Sequence, residues 1–483
     1  MNFRPVLRFI SVAVGGITAS MLLPALWSLL TADEGLKPLA CSFAVGAALY
    51  AALRRAGGNV SLGGMTVREA ILSVVVSWIV VSVIVGLPYI FSGAVSGILD
   101  AVFEGISGFT TTGASVITRF GDIPDSILLW RSFSQWLGGI GIVVLTLAVF
   151  PVSGAGMRLY KAEVSGPLHE RLTPRIQQTA AFLCKTYLAL TCAEFLALSA
   201  GGLGMFDSLT LSFATLATGG FSPYRDNVGH FAGSYVKWVT AFFLLLSASN
   251  LTFFHSIVDK KSRPALGENP ELKFYAAVFA AAGVISSLLL YKYGVFSTVR
   301  ESVSEGVFHA ISMLSTCGFF TANHGDWPAP IRLLTLALMF CGGCSISTAG
   351  GITCVRVLVL VRYIEAEFTR KLHPRAIVPT RLGDSPLDTA VISSCFAYFT
   401  AYIAIFSVGF SLLCLFGLDL TEAIWSAAAA LGNVGPSLGL SGSDTSYASL
   451  PDAVKIVYII LMLCGRLEIF TLLSIFTPRF WKQ

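Results

Sequence analysis

Apolar stretches recur along the whole chain, near residues 9–30, 36–53, 71–91, 127–150, 180–200, 236–258, 273–293, 331–361, 389–416 and 453–476. Several reach the ~20 residues that a helix needs to cross a hydrocarbon core. The pattern predicts ten transmembrane helices. The first stretch follows Arg4 and Arg8 but is long and lacks a clean small-residue cleavage site, so it reads as a spanning helix and not as a signal peptide. Between the third and fourth, fifth and sixth, seventh and eighth, and ninth and tenth stretches lie shorter, semi-polar pieces ending in glycine and threonine. They are too short and too broken to cross, and they read as re-entrant pore segments, because irregular backbone at membrane depth survives only where it is buried or lines a cavity. The fold class expected is all-α integral membrane.

Composition agrees. With 483 residues, 55% hydrophobic and 12% charged, and a mean hydropathy of +0.76, the chain has too little polar surface to cover a soluble globule. Its ten cysteines sit mostly inside apolar stretches, which argues against a disulfide framework. With the N-terminus inside, 22 of the 32 lysines and arginines fall in cytoplasmic loops, nine outside, among them Arg131, Lys237 and Lys455, and one, Arg466, in the membrane. The net charge of +5 is then a topology signal and gives no support to nucleic-acid binding.

The four semi-polar pieces register on one glycine each: Gly113, Gly220, Gly318 and Gly435, separated by 107, 98 and 117 residues. Thirteen positions earlier stand Asp100, Asp207, Glu305 and Glu422; ten earlier, Phe103, Thr210, Phe308 and Trp425. Six earlier come Ser107, Ala214, Ser312 and Ala429, and two earlier Thr111, Thr218, Thr316 and Asn433. This is an internal repeat of helix, short helix, glycine turn and helix. The expected organisation is two extra N-terminal helices in 1–60 and four parallel helix-pore-helix repeats in 68–155, 176–260, 270–363 and 385–483 around one central pore. A dehydrated cation needs a ring of oxygens, and backbone carbonyls supply it without a formal charge that holds the ion too tightly. Glycine permits the backbone angles that aim carbonyls inward, and the threonine two residues earlier offers a hydroxyl beside them. The carboxylates read either as caps at the outer starts of the short helices or as charges drawing cations to the mouth.

The segments FEGISGFTTTGAS (103–115), LATGGFSP (216–223), STCGFF (315–320) and GNVGPSLG (432–439) resemble the four filter segments of the Trk/Ktr/HKT superfamily. RSFSQWLGGIGIVVL (131–145), CGGCSISTAGGI (341–352) and LCGRLEIFTLL (463–473) resemble its bacterial Trk-type potassium uptake branch in particular. The resemblance covers essentially the whole chain. It implies a potassium-binding filter at Thr111, Thr112, Gly113, Thr218, Gly219, Gly220, Thr316, Cys317, Gly318, Asn433, Val434 and Gly435. Glycine in the first repeat accompanies potassium selectivity in that family, and serine there often accompanies sodium transport. The resemblance also implies a bacterial inner-membrane location, a homodimer in membrane lipid, and a cytosolic nucleotide-binding regulatory ring subunit of the Trk type.

Two features read from physics and resemblance together. The polar stretch holding Gly342, Gly343, Ser345, Ser347, Thr348, Gly350 and Gly351 interrupts the second helix of the third repeat. It is either a kink or, as the family's intramembrane loop implies, a gate beneath the filter. Arg466 near a helix centre costs ~2.5–3.5 kcal/mol unless it faces a cavity or a partner. Glu468, two residues on, points to another face; the family's matching arginine faces the pore, and a buried ion pair is the other reading.

Other signals carry less. Cys341 and Cys344 have CxxC spacing but lack the further ligands of a zinc site, and His169, His230, His255, His309, His324 and His373 show no metal-site spacing. No P-loop or dinucleotide fingerprint appears, so no cofactor is expected in the chain itself and energy or regulation arrives from a partner, for which the basic loops at 158–175, 260–273 and 362–381 are candidate docking sites. No catalytic pair suggests an enzyme. The alternative function is a sodium-selective or sodium-coupled cation or solute transporter, which as an alternating-access carrier predicts inverted halves where this chain has parallel repeats.

Overall fold

The computed structural model describes residues 1–149, 176–231, 233–254, 269–325, 327–383, 385–436, 447–467 and 469–482. The basic loop 158–175, residues 260–268 of the next, His169, His255 and Glu468 lie essentially outside these ranges. In order the helices are α1 (Phe3–Ser20), α2 (Leu22–Thr31), α3 (Leu36–Gly57), α4 (Val67–Phe91), α5 (Ile98–Phe109), α6 (Asp125–Val149), α7 (Ile176–Ala200), α8 (Met205–Leu216) and α9 (Ser234–Ser247). They continue with α10 (Pro270–Lys292), α11 (Val299–Leu314), α12 (Ala329–Cys341), α13 (Cys354–Leu372), α14 (Thr389–Leu415), α15 (Leu420–Leu431), α16 (Asp452–Arg466), α17 (Ile469–Ile475) and α18 (Pro478–Trp481).

Among the described residues six helices are long and apolar enough to cross a membrane: Phe3–Thr31, Leu36–Gly57, Val67–Phe91, Ala180–Ala200, Pro270–Lys292 and Thr389–Leu415. They match six of the predicted stretches. Their outward faces are apolar, with Leu29, Leu196, Leu288 and Leu415 all exposed, while serines and threonines are buried inside. That is the inversion expected of a chain solvated by hydrocarbon.

The second helices depart from expectation. The stretch expected over 236–258 breaks after Ser247, the one over 331–361 breaks between Cys341 and Cys354, and the one over 453–476 breaks after Arg466, where α17 leaves at 117° to α16. The residue pattern signals a break in the third repeat alone. At the end of α9 the cause is Asn250, whose side-chain oxygen accepts the N–H of Thr252 (3.0 Å) while the N–H of Leu251 donates to Ile346 (3.2 Å). Asparagine satisfies the freed backbone in a turn geometry, and a helix cannot continue through it.

The first and third short helices are set against the long helix before each by small residues. A Cβ on Gly86 would overlap the carbonyl of Ala101, and one on Gly105 the carbonyl of Ser82, so α4 and α5 approach to backbone distance. Gly306 of α11 lies in the same way against Ser287 of α10. In these two repeats the close approach positions the short helix, and with it the glycine turn at its end.

Candidate functional site

Helices α5, α8, α11 and α15 terminate alike. The N–H two positions before the registered glycine donates three residues back: Thr111 to Gly108 (3.0 Å), Thr218 to Thr215 (2.9 Å), Thr316 to Met313 (3.2 Å) and Asn433 to Ala430 (3.2 Å). The next N–H donates five residues back: Thr112 to Ser107 (2.9 Å), Gly219 to Ala214 (2.8 Å), Cys317 to Ser312 (3.0 Å) and Val434 to Ala429 (2.8 Å). This pair of bonds is the Schellman cap, which requires a left-handed residue just past the helix. That residue is Thr111 (φ 55), Thr218 (φ 51), Thr316 (φ 55) and Asn433 (φ 53). Three β-branched residues thus hold a conformation they normally avoid. The registered glycines are left-handed too, with φ of 86, 78, 76 and 91.

The four turns close on one another. A Cβ on Gly113 would overlap the carbonyl oxygen of Gly219; on Gly220, that of Cys317; on Gly318, that of Val434; and on Gly435, that of Thr112. Each glycine abuts the carbonyl before the next glycine, in the order one, two, three, four and back to one. All twelve predicted filter residues are buried except Gly113, which is half-buried.

Side chains brace the ring from behind. The hydroxyls of Ser107 and Ser312 donate to the carbonyls of Ala114 and Phe319, each at 2.6 Å. Gln135 donates to the carbonyl of Gly219 and accepts from the N–H of Phe221. Asn227 donates to Gly220 (3.1 Å) and the Tyr447 hydroxyl to Gly435 (2.7 Å). The amide of Asn433 reaches the hydroxyl of Thr112 (2.9 Å) and the carbonyl of Met462 (3.0 Å).

A buried ion pair lies beside the first two turns. Glu104 accepts from Arg131 Nε (2.6 Å), from the hydroxyl of Ser115 (3.0 Å) and from the N–H of Val116 (2.9 Å). Arg131 also donates to the carbonyl of Ser222 (2.9 Å) and stacks on the ring of Phe221 at 3.5 Å. Arg131 is therefore not an outside charge: it is buried, because Glu104 supplies a partner across 27 residues.

The registered carboxylates divide. Asp100, Asp207 and Glu422 stand in the first turns of α5, α8 and α15, as expected. Glu305 does not, since α11 begins earlier, at Val299, behind a Thr298 cap. Asp100 pairs with Lys455 of α16 (2.6 Å) and Glu305 with Lys237 of α9 (2.7 Å). These two are neutralised and tie neighbouring segments together, which removes them as free charges at the mouth. Asp207 accepts from Tyr224 (2.9 Å).

The glycine-rich stretch 342–353 leaves the helix at Gly342 (φ 69) and returns after Gly351 (φ 80) and Thr353 (φ 78). Gly342 packs on Gly350 and Gly351, Gly343 on Ala248, and Gly350 on the carbonyl of Gly432. Ser345 gives both its N–H and its hydroxyl to the Glu271 carboxylate, and Ser347 donates to Cys344 (2.6 Å). The Thr348 hydroxyl lies between the carbonyls of Leu216 (3.0 Å) and Ser247 (3.3 Å). The N–H of Gly350 donates to the hydroxyl of Thr316 in the third turn (2.7 Å). Arg466 donates to the carbonyl of Thr348 (2.9 Å) and to those of Gly138 (3.1 Å) and Gly139 (3.4 Å) on α6.

Arg466 is therefore not near a helix centre. It is the last residue of α16, where free carbonyls and the helix dipole favour a cation. The residues that sequence reading passed over are Glu104, Arg131, Gln135, Asn227, Glu271 and Tyr447. Arg131 is, after Asp125, the one charged residue of α6, and Gln135 its one amide, which is the signal the chain offers for both. His309 and His324 lie ring to ring at 4.4 Å, a proximity that their spacing does not reveal, yet among the described residues no group of three or more potential ligands gathers to hold a metal.

Comparison with known proteins gives one answer. A model of the TrkH cation transport protein family matches residues 39–483. The Trk system potassium uptake protein TrkH of Escherichia coli K12 is 35% identical over 490 residues, covering 100% of both chains. TrkG of the same organism is 33% identical over 420 residues, 86% of each chain. The solved structure of the potassium transporter TrkH from Vibrio parahaemolyticus superposes with a TM-score of 0.87 at 34% identity, over 100% of both chains. The family is one of cation transporters and not of enzymes. With a ring of four turns at its centre and full-length relatives of this kind, the chain belongs to the TrkH family of cation transport proteins.

Proposed function

We propose that this protein takes potassium into the cell across the bacterial inner membrane, through a single pore whose selectivity filter is the ring of four turns. The observation that carries this reading is ring closure: four left-handed glycines, each against the carbonyl before the next. Carbonyls braced from behind replace a hydration shell without trapping the ion. The chain then consists of two leading helices in 1–60 and repeats in 68–155, 176–260, 270–363 and 385–483.

The gate in this reading is the 342–353 loop with Arg466. The loop bonds to Leu216 and Ser247 of the second repeat and to Glu271 and Thr316 of the third, and Arg466 of the fourth links it to Gly138 of the first. A guanidinium under the filter raises an electrostatic barrier to cations, so opening requires the Arg466–Thr348 and Ser345–Glu271 contacts to part. The relatives are named for a Trk system, which supports a multi-component assembly. In this reading the protein is a homodimer, each subunit with its own pore, regulated by a cytosolic nucleotide-binding ring subunit.

The test is cation flux in proteoliposomes holding only this protein, comparing potassium, rubidium, sodium and lithium, with Gly113→Ser alongside. A side chain at Gly113 strikes the Gly219 carbonyl from a left-handed position, so the variant is expected to lose potassium over sodium discrimination. Unchanged permeability ratios overturn the filter assignment. Sodium-driven solute uptake by the unmodified protein supports the sodium-coupled alternative.

A further inference from the structure

Glu194 lies on α7 and is fully buried, and among the described residues neither of its carboxylate oxygens has a hydrogen-bond partner. The Thr215 hydroxyl of α8 lies beside it but donates to the carbonyl of Leu211 (2.8 Å). The side chain stands within electrostatic reach of Tyr187 on its own helix and of Cys317 in the third turn of the ring. Among the described residues the cations on the elements packed against α7 are engaged elsewhere, and Asp125 of α6 lies near Asp33 and Asp207. Arg131 of α6 serves Glu104, Lys237 of α9 serves Glu305, and Asp207 of α8 accepts from Tyr224. Arg466, whose field reaches Tyr187, is held by carbonyls of the loop and α6.

A carboxyl in a membrane interior with no cationic partner is stable in one of two ways: by carrying a proton, or by having a positive charge brought near. The ring beside Cys317 is where the proposed function brings one. We propose that Glu194 is a proton site behind the filter, protonated while the filter is empty and ionised when it holds potassium. This rests on the filter reading above. Potassium entry expels the proton, and a proton on Glu194 weakens potassium binding by the same factor, since coupling between two sites is reciprocal. Because the ionised form accompanies the loaded filter, potassium affinity rises with pH and falls on acidification. The expected change is about tenfold, within the usual span of inter-site coupling.

The experiment measures potassium protection against thermal unfolding of the full-length protein, and rubidium flux, across a series of pH values, for wild type, Glu194→Gln and Glu194→Asp. In wild type the half-protecting potassium concentration is expected to fall about tenfold from acid to alkaline pH. Glu194→Gln is expected to hold the acid value throughout, and Glu194→Asp to keep a pH dependence. A Glu194→Gln profile that follows wild type overturns the proposal. Should Glu194→Gln fail to fold, infrared difference spectra of wild type decide. Adding potassium must remove the carbonyl band of a protonated carboxylic acid, shifted by carbon-13 glutamate labelling, and a missing band overturns the proposal. Failure of the filter reading looks different: wild type then shows no potassium-over-sodium protection at any pH.

Discussion

The ion pair behind the first two turns gives the sharpest stability prediction. In Glu104→Gln the amide keeps one acceptor oxygen and sets an NH2 group where the other stood. That oxygen faces either Arg131 Nε–H or the N–H of Val116, so one buried donor meets another donor. Arg131 keeps the Ser222 carbonyl and the Phe221 ring but loses its counter-charge in a site 4% exposed. Removing one partner of a buried pair costs about 3–5 kcal/mol. Replacing both, by Glu104→Leu with Arg131→Met, leaves no charge behind and is expected to cost about 0–2 kcal/mol, since apolar substitution of whole buried pairs is often neutral or better. The double variant should therefore be more stable than the Gln single, an ordering that additive loss of contacts does not produce. Because Ser115, Val116 and Ser222 leave the first and second turns, the single variant should also discriminate potassium from sodium less well. Unfolding by denaturing detergent, followed by helical circular dichroism, gives the free energies, and the flux assay gives the selectivity. A Glu104→Gln variant within about 1 kcal/mol of wild type, or a double variant less stable than the single, refutes the reasoning.

Three further outcomes follow from the loop and the ring. Glu271→Gln removes an acceptor from the Ser345 clasp and is expected to raise flux severalfold with ion selectivity kept; unaltered flux in reconstituted vesicles counts against Glu271 as the anchor of the loop. Arg466→Gln removes the charge that joins Thr348 to Gly138 and should likewise raise flux, more at low ionic strength where the field is less screened. Tyr447→Phe deletes one bond to the Gly435 carbonyl, worth about 1 kcal/mol, and is expected to lower potassium protection against heat without changing the fold, as gel filtration and thermal melts will report.

The sequence disclosed whatever depends on periodicity. Six spans and the four registered glycines were legible because apolar length and repeated spacing are properties of the chain alone. The role of Thr111, Thr218 and Thr316 was read only in part, as hydroxyls beside a filter. Their backbone work, the left-handed cap, was hidden because residue type argues against it: a β-branched residue takes φ near 55 only where a helix end and a neighbouring turn both compel it. Asn433 in the equivalent place is the one member of the set whose residue type suits that conformation. Arg131 was misplaced because its position near the start of an apolar stretch resembles that of an exposed flanking charge. What buries it is a carboxylate on another helix. The same holds for Glu271, which looks like a first-turn residue of α10 and is held by a loop 74 residues away. The breaks after α9 and α16 also draw on the distant loop, through Leu251 N–H to the carbonyl of Ile346 and Arg466 to that of Thr348.

The four turns share one backbone but not one support. At the position nine residues before the glycine stand Glu104, Leu211, His309 and Ser426. The first turn is backed by an ion pair, the second by Gln135 and Asn227, the third by Ser312 with His309 bonded to Thr335 at 2.7 Å, and the fourth by Tyr447. A ring that must offer an ion equal oxygens constrains the backbone and leaves the surroundings free to diverge. In the proposed reading, divergence is also what allows one loop alone to serve as the gate. Four loops like 342–353 would all need the space beneath one ring, and they would collide there. With the loop in one segment, the others are free to supply what it rests against: the end of α9 from the second, Arg466 from the fourth, and the carbonyls of Gly138 and Gly139 from the first, where α6 runs on past the level at which the other second helices stop.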